Sequence, residues 1–93
     1  MMTERDFVMP EIARFFGIRI LMYYDEHNPP HFHAIYADNE ASFNLSGELL
    51  NGHIPARYKK YIEVWADIHR QELEENWEKA RNNEELTSIK GLN

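Results

Sequence analysis

Three of the five histidines in this 93-residue chain, His27, His31 and His33, fall within seven positions. Pro29 and Pro30 stand between the first and the second. Imidazoles this close can do two kinds of chemistry. A His-x-His pair on a strand has good ligand spacing for zinc or another divalent transition metal, and His27 or a carboxylate would complete the set. Without a metal, clustered imidazoles can act as general acid and general base. A third reading is structural: the histidines hydrogen-bond the loop backbone and fix a hairpin. Short histidine clusters often have only that role. Three imidazoles where one or two would serve weigh against it.

Arg14 and Arg19 are the cations nearest this cluster in an otherwise apolar run. Arginine in a strand usually faces solvent at an edge. Its alternative role is an anion clamp beside the histidines, because a guanidinium grips phosphate through two parallel N–H donors. His69 lies near the apolar face of the C-terminal helical pattern. It reads first as a partly buried packing residue and second as a fourth imidazole for the site. His53 sits in a loop and receives no role.

The elements that must position these groups follow from local pattern. Gly17 to Tyr24 is rich in β-branched and aromatic residues and reads as a strand. His31 to Ala37 reads as the next one, with Asp25 to Pro30 as a wide loop. Proline has no backbone N–H and a fixed φ, so the pair marks the loop edge. Alternation along a strand places His31, His33 and Ile35 on one face and Phe32, Ala34 and Tyr36 on the other. The second set is the better core face, so the histidines are expected on the face away from the core. From Ile12 to Tyr24 the pattern predicts one bent strand or two collinear ones, with a bulge at Gly17. A tight hairpin is expected at Asp38-Asn39, then a half-buried strand over 40–46 and a short edge strand over 48–51.

Pro55 suits the first position of a helix. Beyond it Tyr58, Ile62, Trp65, Ile68, Leu73, Trp77 and Ala80 recur at helical steps. The step of five between Ile68 and Leu73 predicts a kink near Arg70-Gln71 or two consecutive helices. Asn82 and Asn83 are stop residues. The expected architecture is α+β: a small antiparallel sheet of three to four strands, packed by one long or kinked C-terminal helix. Residues 1–8 read as a flexible N-terminal extension, with Met9 as an alternative start. Residues 9–83 form the single domain, and 84–93 a flexible tail with little to bury.

A chain this small has room for one core and one site, and buries roughly 60–65% of its unfolded surface. The absence of cysteine excludes disulfides and thiolate metal sites. No apolar run is long enough to span a membrane. The first residues do not resemble a signal peptide. The expectation is a cytoplasmic protein. A net charge of -6 disfavours nonspecific nucleic-acid binding, where phosphate neutralisation dominates affinity.

Four segments together resemble domain-of-unknown-function family forty-one sixty: Met9 to Ile18, Met22 through Pro29-Pro30-His31-Phe32-His33-Ala34, Gly47 to Gly52, and Trp65 to Trp77. The resemblance covers about Met9 to Arg81. It implies a small prokaryotic or phage-borne protein, encoded beside a second small domain and acting as the toxin of a type II toxin–antitoxin pair. The family's hallmark positions map onto Arg14, His27, His31, His33 and His69. Two functions follow as expectations. In the first, His27, His31 and His33 act on a phosphate-containing substrate such as RNA, directly or through a divalent metal such as zinc, with Arg14 stabilising charge on phosphate. In the second, the chain is a non-enzymatic protein-binding module whose histidines shape the hairpin. The expected partners are a cognate small antitoxin-like protein, RNA and a second copy of the chain in a homodimer. No membrane is expected.

Overall fold

The computed structural model describes residues 10–24 and 26–93. The extension read over 1–8 lies outside the described residues. Five strands form one antiparallel sheet in sequence order: β1 (Glu11–Phe15), β2 (Ile18–Leu21), β3 (His31–Tyr36), β4 (Asn39–Asn44) and β5 (Leu49–Gly52). Two helices follow, α1 (Ala56–Ile68) and α2 (Arg70–Arg81). The fold is α+β as expected, with five strands rather than three or four.

The extra strand comes from Phe16-Gly17. Both take positive φ, 51° and 78°, the backbone that a two-residue hairpin loop needs to match strand twist. Phe15 therefore pairs with Ile18, and the run read as one bent or two collinear strands is a hairpin. The bulge expected at Gly17 falls instead between Glu11 and Ala13. The β3–β4 turn is Ala37-Asp38, one residue earlier than expected, because Tyr36 pairs with Asn39. Ala37 carries the positive φ there, 54°.

Alternation sorts the sheet into two faces. Phe15, Ile18, Ile20, Phe32, Ala34, Ala41 and Phe43 are buried on one. Trp65 of α1 closes that face, with its rings 5.3 Å from Phe15 and 5.6 Å from Phe32. The opposite face carries cross-strand rows. Arg14, Arg19, Ile35 and Glu40 form one, and Leu21, His33 and Ser42 the next. His31 and Asn44 form the last. The histidines thus stand on the face opposite the Trp65-lined core, where Trp77 of α2 borders His31.

α1 and α2 are consecutive helices separated by His69, whose φ of -108° and ψ of 26° leave the helical region. One non-helical residue lets Trp65, Leu73 and Trp77 all face the sheet. Ile68, placed in the apolar stripe by its spacing, is instead 61% exposed. The break rotates it outward. α2 ends at Asn82, and Asn83 has φ 58°, as the two asparagines led us to expect. Among the described residues, no helix is long and apolar enough to cross a membrane.

Residues 84–93 have more to bury than the sequence suggested. Ile89 is buried and its N–H donates to the Ile12 carbonyl at 2.7 Å. The Trp65 indole N–H donates to the Lys90 carbonyl at 2.8 Å. Asn76, fully buried in α2, donates to the Thr87 carbonyl and accepts from the Thr87 N–H. Apolar residues spaced too irregularly for either helix or strand still fill a groove when the backbone is tied at both sides.

Candidate functional site

β3 presents His31 and His33 two residues apart on the same face, with ring centroids 5.1 Å apart. Their side chains are only 13% and 19% exposed. The loop between β2 and β3 folds Glu26 over them. Its Oε1 lies 2.7 Å from His33 Nε2 and 3.5 Å from His31 Nε2. Ligand atoms of Glu26, His31 and His33 all fall within 4.8 Å of one another.

The outer nitrogen of His31 is also engaged, and that of His33 faces a more distant carboxylate. His31 Nδ1 is 2.7 Å from the Pro29 carbonyl. A carbonyl only accepts, so Nδ1 donates and Nε2 is directed at Glu26. His33 Nδ1 is 3.9 Å from a Glu40 oxygen. A ring nitrogen tied to a carbonyl or carboxylate while the other faces inward is the supporting pattern of metal-binding histidines. Aromatic rings wall the site. Tyr23 stands edge-on to His33 at 4.8 Å, and Trp77 of α2 lies 5.4 Å from His31.

Charge fits the geometry. Burial alone would raise the Glu26 pKa. The hydrogen bond from His33 and the nearby charges of His31 and His33 outweigh it and hold the pKa below its usual value. Glu26 thus stays an anion, as a ligand must. Two imidazoles and one carboxylate make a hard-to-borderline donor set suited to zinc, iron or another divalent transition metal. Three protein ligands leave coordination positions open for water or substrate.

A family model described as "Domain of unknown function (DUF4160)" matches residues 17–78, two thirds of the chain. The chain belongs to the DUF4160 family. The matched span of this DUF4160 domain contains Glu26, His27, His31, His33, His69 and Trp77, and stops short of Arg14 and Arg81. No curated protein and no solved structure matches the chain.

The other residues singled out by sequence lie elsewhere in the DUF4160 fold. His27 is exposed and is not among the three converging ligands. It lines an open pocket of about 360 Å³ beside them, together with Tyr24, Glu26, Asn28 and Arg81. Arg14 is two strands from β3, in the row of Ile35 rather than His33. Its guanidinium is held by both oxygens of Glu11, at 3.0 and 2.8 Å, and Arg19 shares that carboxylate at 2.9 Å. The anion clamp read from Arg14 and Arg19 is closed on a carboxylate of its own sheet. His69 sits at the helix junction and bonds Glu72. His53 is exposed before α1.

Sequence reasoning allowed a carboxylate to complete the set but did not choose Glu26. Its signal was position, since it is the acidic residue on the His side of Asp25. Arg81 was missed entirely. It reaches the loop from the last turn of α2, where its Nη1 donates to Asn28 Oδ1 at 3.3 Å across 53 residues. Local pattern carries no trace of such a contact.

Proposed function

We propose that Glu26, His31 and His33 hold a divalent transition metal ion, such as zinc, and that the chain uses it to hydrolyse a phosphate ester, with RNA as the substrate. The observation that carries this reading is the convergence of two imidazole Nε2 atoms on one carboxylate oxygen. The His31 ring is oriented from behind by the Pro29 carbonyl. An ion held by these residues would supply a bound water of lowered pKa, able to act as the nucleophile at neutral pH. The water oxygen adds to phosphorus, the P–O bond to the leaving oxygen breaks, and the proton lost by water ends on that oxygen. His27, outside the ligand set but on the adjoining pocket, would pass that proton as general acid.

In this proposal the chain acts in the cytoplasm as the toxin of a toxin–antitoxin pair, and a small antitoxin-like protein neutralises it. The test is inducible expression in bacterial cells of the wild type, His31→Ala and His33→Ala, at matched protein levels. Growth arrest by the wild type that both variants abolish is the expected result. Arrest of equal strength from both variants overturns the reading.

One observation favours the second reading, a protein-binding module. The His31–Pro29 and His33–Glu26 bonds pin the loop to the sheet, which is what a hairpin-shaping role requires. Metal titration separates the two. A purely shaping cluster binds zinc no more tightly than a His31→Ala, His33→Ala double variant.

A further inference from the structure

We propose that the pocket lined by Tyr24, Glu26, His27, Asn28 and Arg81 is the phosphate subsite of this centre, and that Arg81 is the residue that holds the anion. The inference rests on the metal reading above and adds where the substrate binds. Its starting observation is an unneutralised guanidinium. Arg14 and Arg19 are paired with Glu11, and Arg70 with Glu74. Arg57 and Arg81 have no ion pair among the described residues, and Arg81 is the one that lines this pocket. Its contact there is the amide oxygen of Asn28, which uses one N–H and fixes the side chain over the loop. The remaining donors of the fork stay available. Planar paired donors match phosphate oxygens better than an ammonium does.

Position and charge agree. Glu26 belongs both to the ligand set and to the pocket wall, so an anion beside Arg81 adjoins the ion. A carboxylate alone would repel phosphate. With a divalent ion on it, two positive charges exceed its single negative one, and Arg81 adds another. In a chain of net charge -6, this pocket is then a local positive well that a phosphate can enter. The last turn of a helix is also where a cation is favoured by the helix dipole, so Arg81 sits there at little cost. His27 and the Asn28 amide supply N–H donors around the same opening.

The test uses the full chain, loaded with cobalt(II) so that the ligand field is read by visible absorption. Phenylphosphonate, a soluble phosphate mimic, is titrated by calorimetry into the wild type, Arg81→Ala and Arg81→Lys. The expected result is binding to the wild type and at least about tenfold weaker binding to Arg81→Ala, the loss typical of one charged hydrogen bond. Arg81→Lys should fall between them, and the cobalt spectra of all three should coincide. Equal phosphonate affinity in wild type and Arg81→Ala overturns the subsite. A wild type that binds no cobalt overturns the metal reading, and the titration is then run on the metal-free chain. Arg81-dependent binding there upholds the subsite on its own, and no binding overturns it too.

Discussion

Glu26 and His33, seven residues apart in the chain, meet at 2.7 Å through Oε1 and Nε2. The bond closes the β2–β3 loop over the sheet face opposite the Trp65-lined core. It also points a carboxylate at the Nε2 of His31, whose other nitrogen is fixed by the Pro29 carbonyl. Two bonds made for shape thus leave three donor atoms facing one point.

Glu26→Gln tests that arrangement with the least steric change. The amide keeps the size and one oxygen acceptor but loses the charge. Loss of a supporting hydrogen bond behind a ligand costs about 10–100-fold in metal affinity, and loss of the ligand itself should exceed about 100-fold. Zinc competition with a chromogenic chelator measures it. Unchanged affinity removes Glu26 from the site. The thermal midpoint of the metal-free variant should stay close to wild type, since Glu26 is partly exposed.

Glu11 makes the acid limb of the stability profile predictable. Its hydrogen bond from Arg14, opposed by burial and reinforced by Arg19, lowers its pKa from 4.5 to about 2. A depressed carboxylate pKa stabilises the fold above the unfolded value. That contribution is therefore complete above about pH 4.5 and disappears as pH falls toward 2. Glu11→Gln should be less stable than wild type at pH 7, by no more than about 1 kcal/mol because the pair is solvent-exposed. The gap should close steadily between pH 4.5 and 2. Urea unfolding of both proteins across that range measures it, and a pH-independent gap contradicts the assignment.

Asn76 is the buried link between α2 and the last ten residues. Asn76→Ala removes both hydrogen bonds to Thr87, an exposed residue, from a buried side chain, and each such bond is worth about 0.5–1.5 kcal/mol. Stability should drop by at least the lower figure, and amide exchange at Ile89 should accelerate more than exchange in β3. Asn76→Asp still accepts from the Thr87 N–H but cannot donate to its carbonyl, so it should lie between. Exchange rates unchanged along 84–93 would show that the segment is held by its apolar contacts alone.

Much of this was legible in the sequence, and the remainder was hidden for physical reasons. Strand alternation placed Phe32 and Ala34 inward and His31 and His33 outward, because period two leaves no other choice once one face is apolar. That the helical run breaks was visible in the five-residue step from Ile68 to Leu73, although the break falls at His69 rather than at Arg70-Gln71 and leaves Ile68 outside the buried stripe. The Phe16-Gly17 hairpin was not, since a phenylalanine with positive φ runs against residue preference and is imposed by β1–β2 pairing. Glu26 was hidden among neighbouring acids, because only the loop path decides which one folds back. Arg81 and the 84–93 segment depend on contacts between residues far apart in the chain, and periodicity reports neighbours only.

Gly52 separates damage to the fold from damage to the site. It has φ +87°, and a Cβ there would lie 2.3 Å from the Glu40 carbonyl and 2.7 Å from Ala41 Cα. Both neighbours are backbone of β4, so the clash cannot be relieved by a side-chain rotation. Gly52→Ala combines left-handed strain with overpacking and should cost more than about 2 kcal/mol. The edge strand β5 is exposed along its length, so it yields before β4 does. The ligands come from β3 and the loop before it, on the far side of β4 from β5. Zinc affinity below the melting range should therefore match wild type. A loss of affinity comparable to that of Glu26→Gln would mean that β5 takes part in holding the centre, through the Glu40 backbone against which it packs, and that the site is not independent of the edge strand.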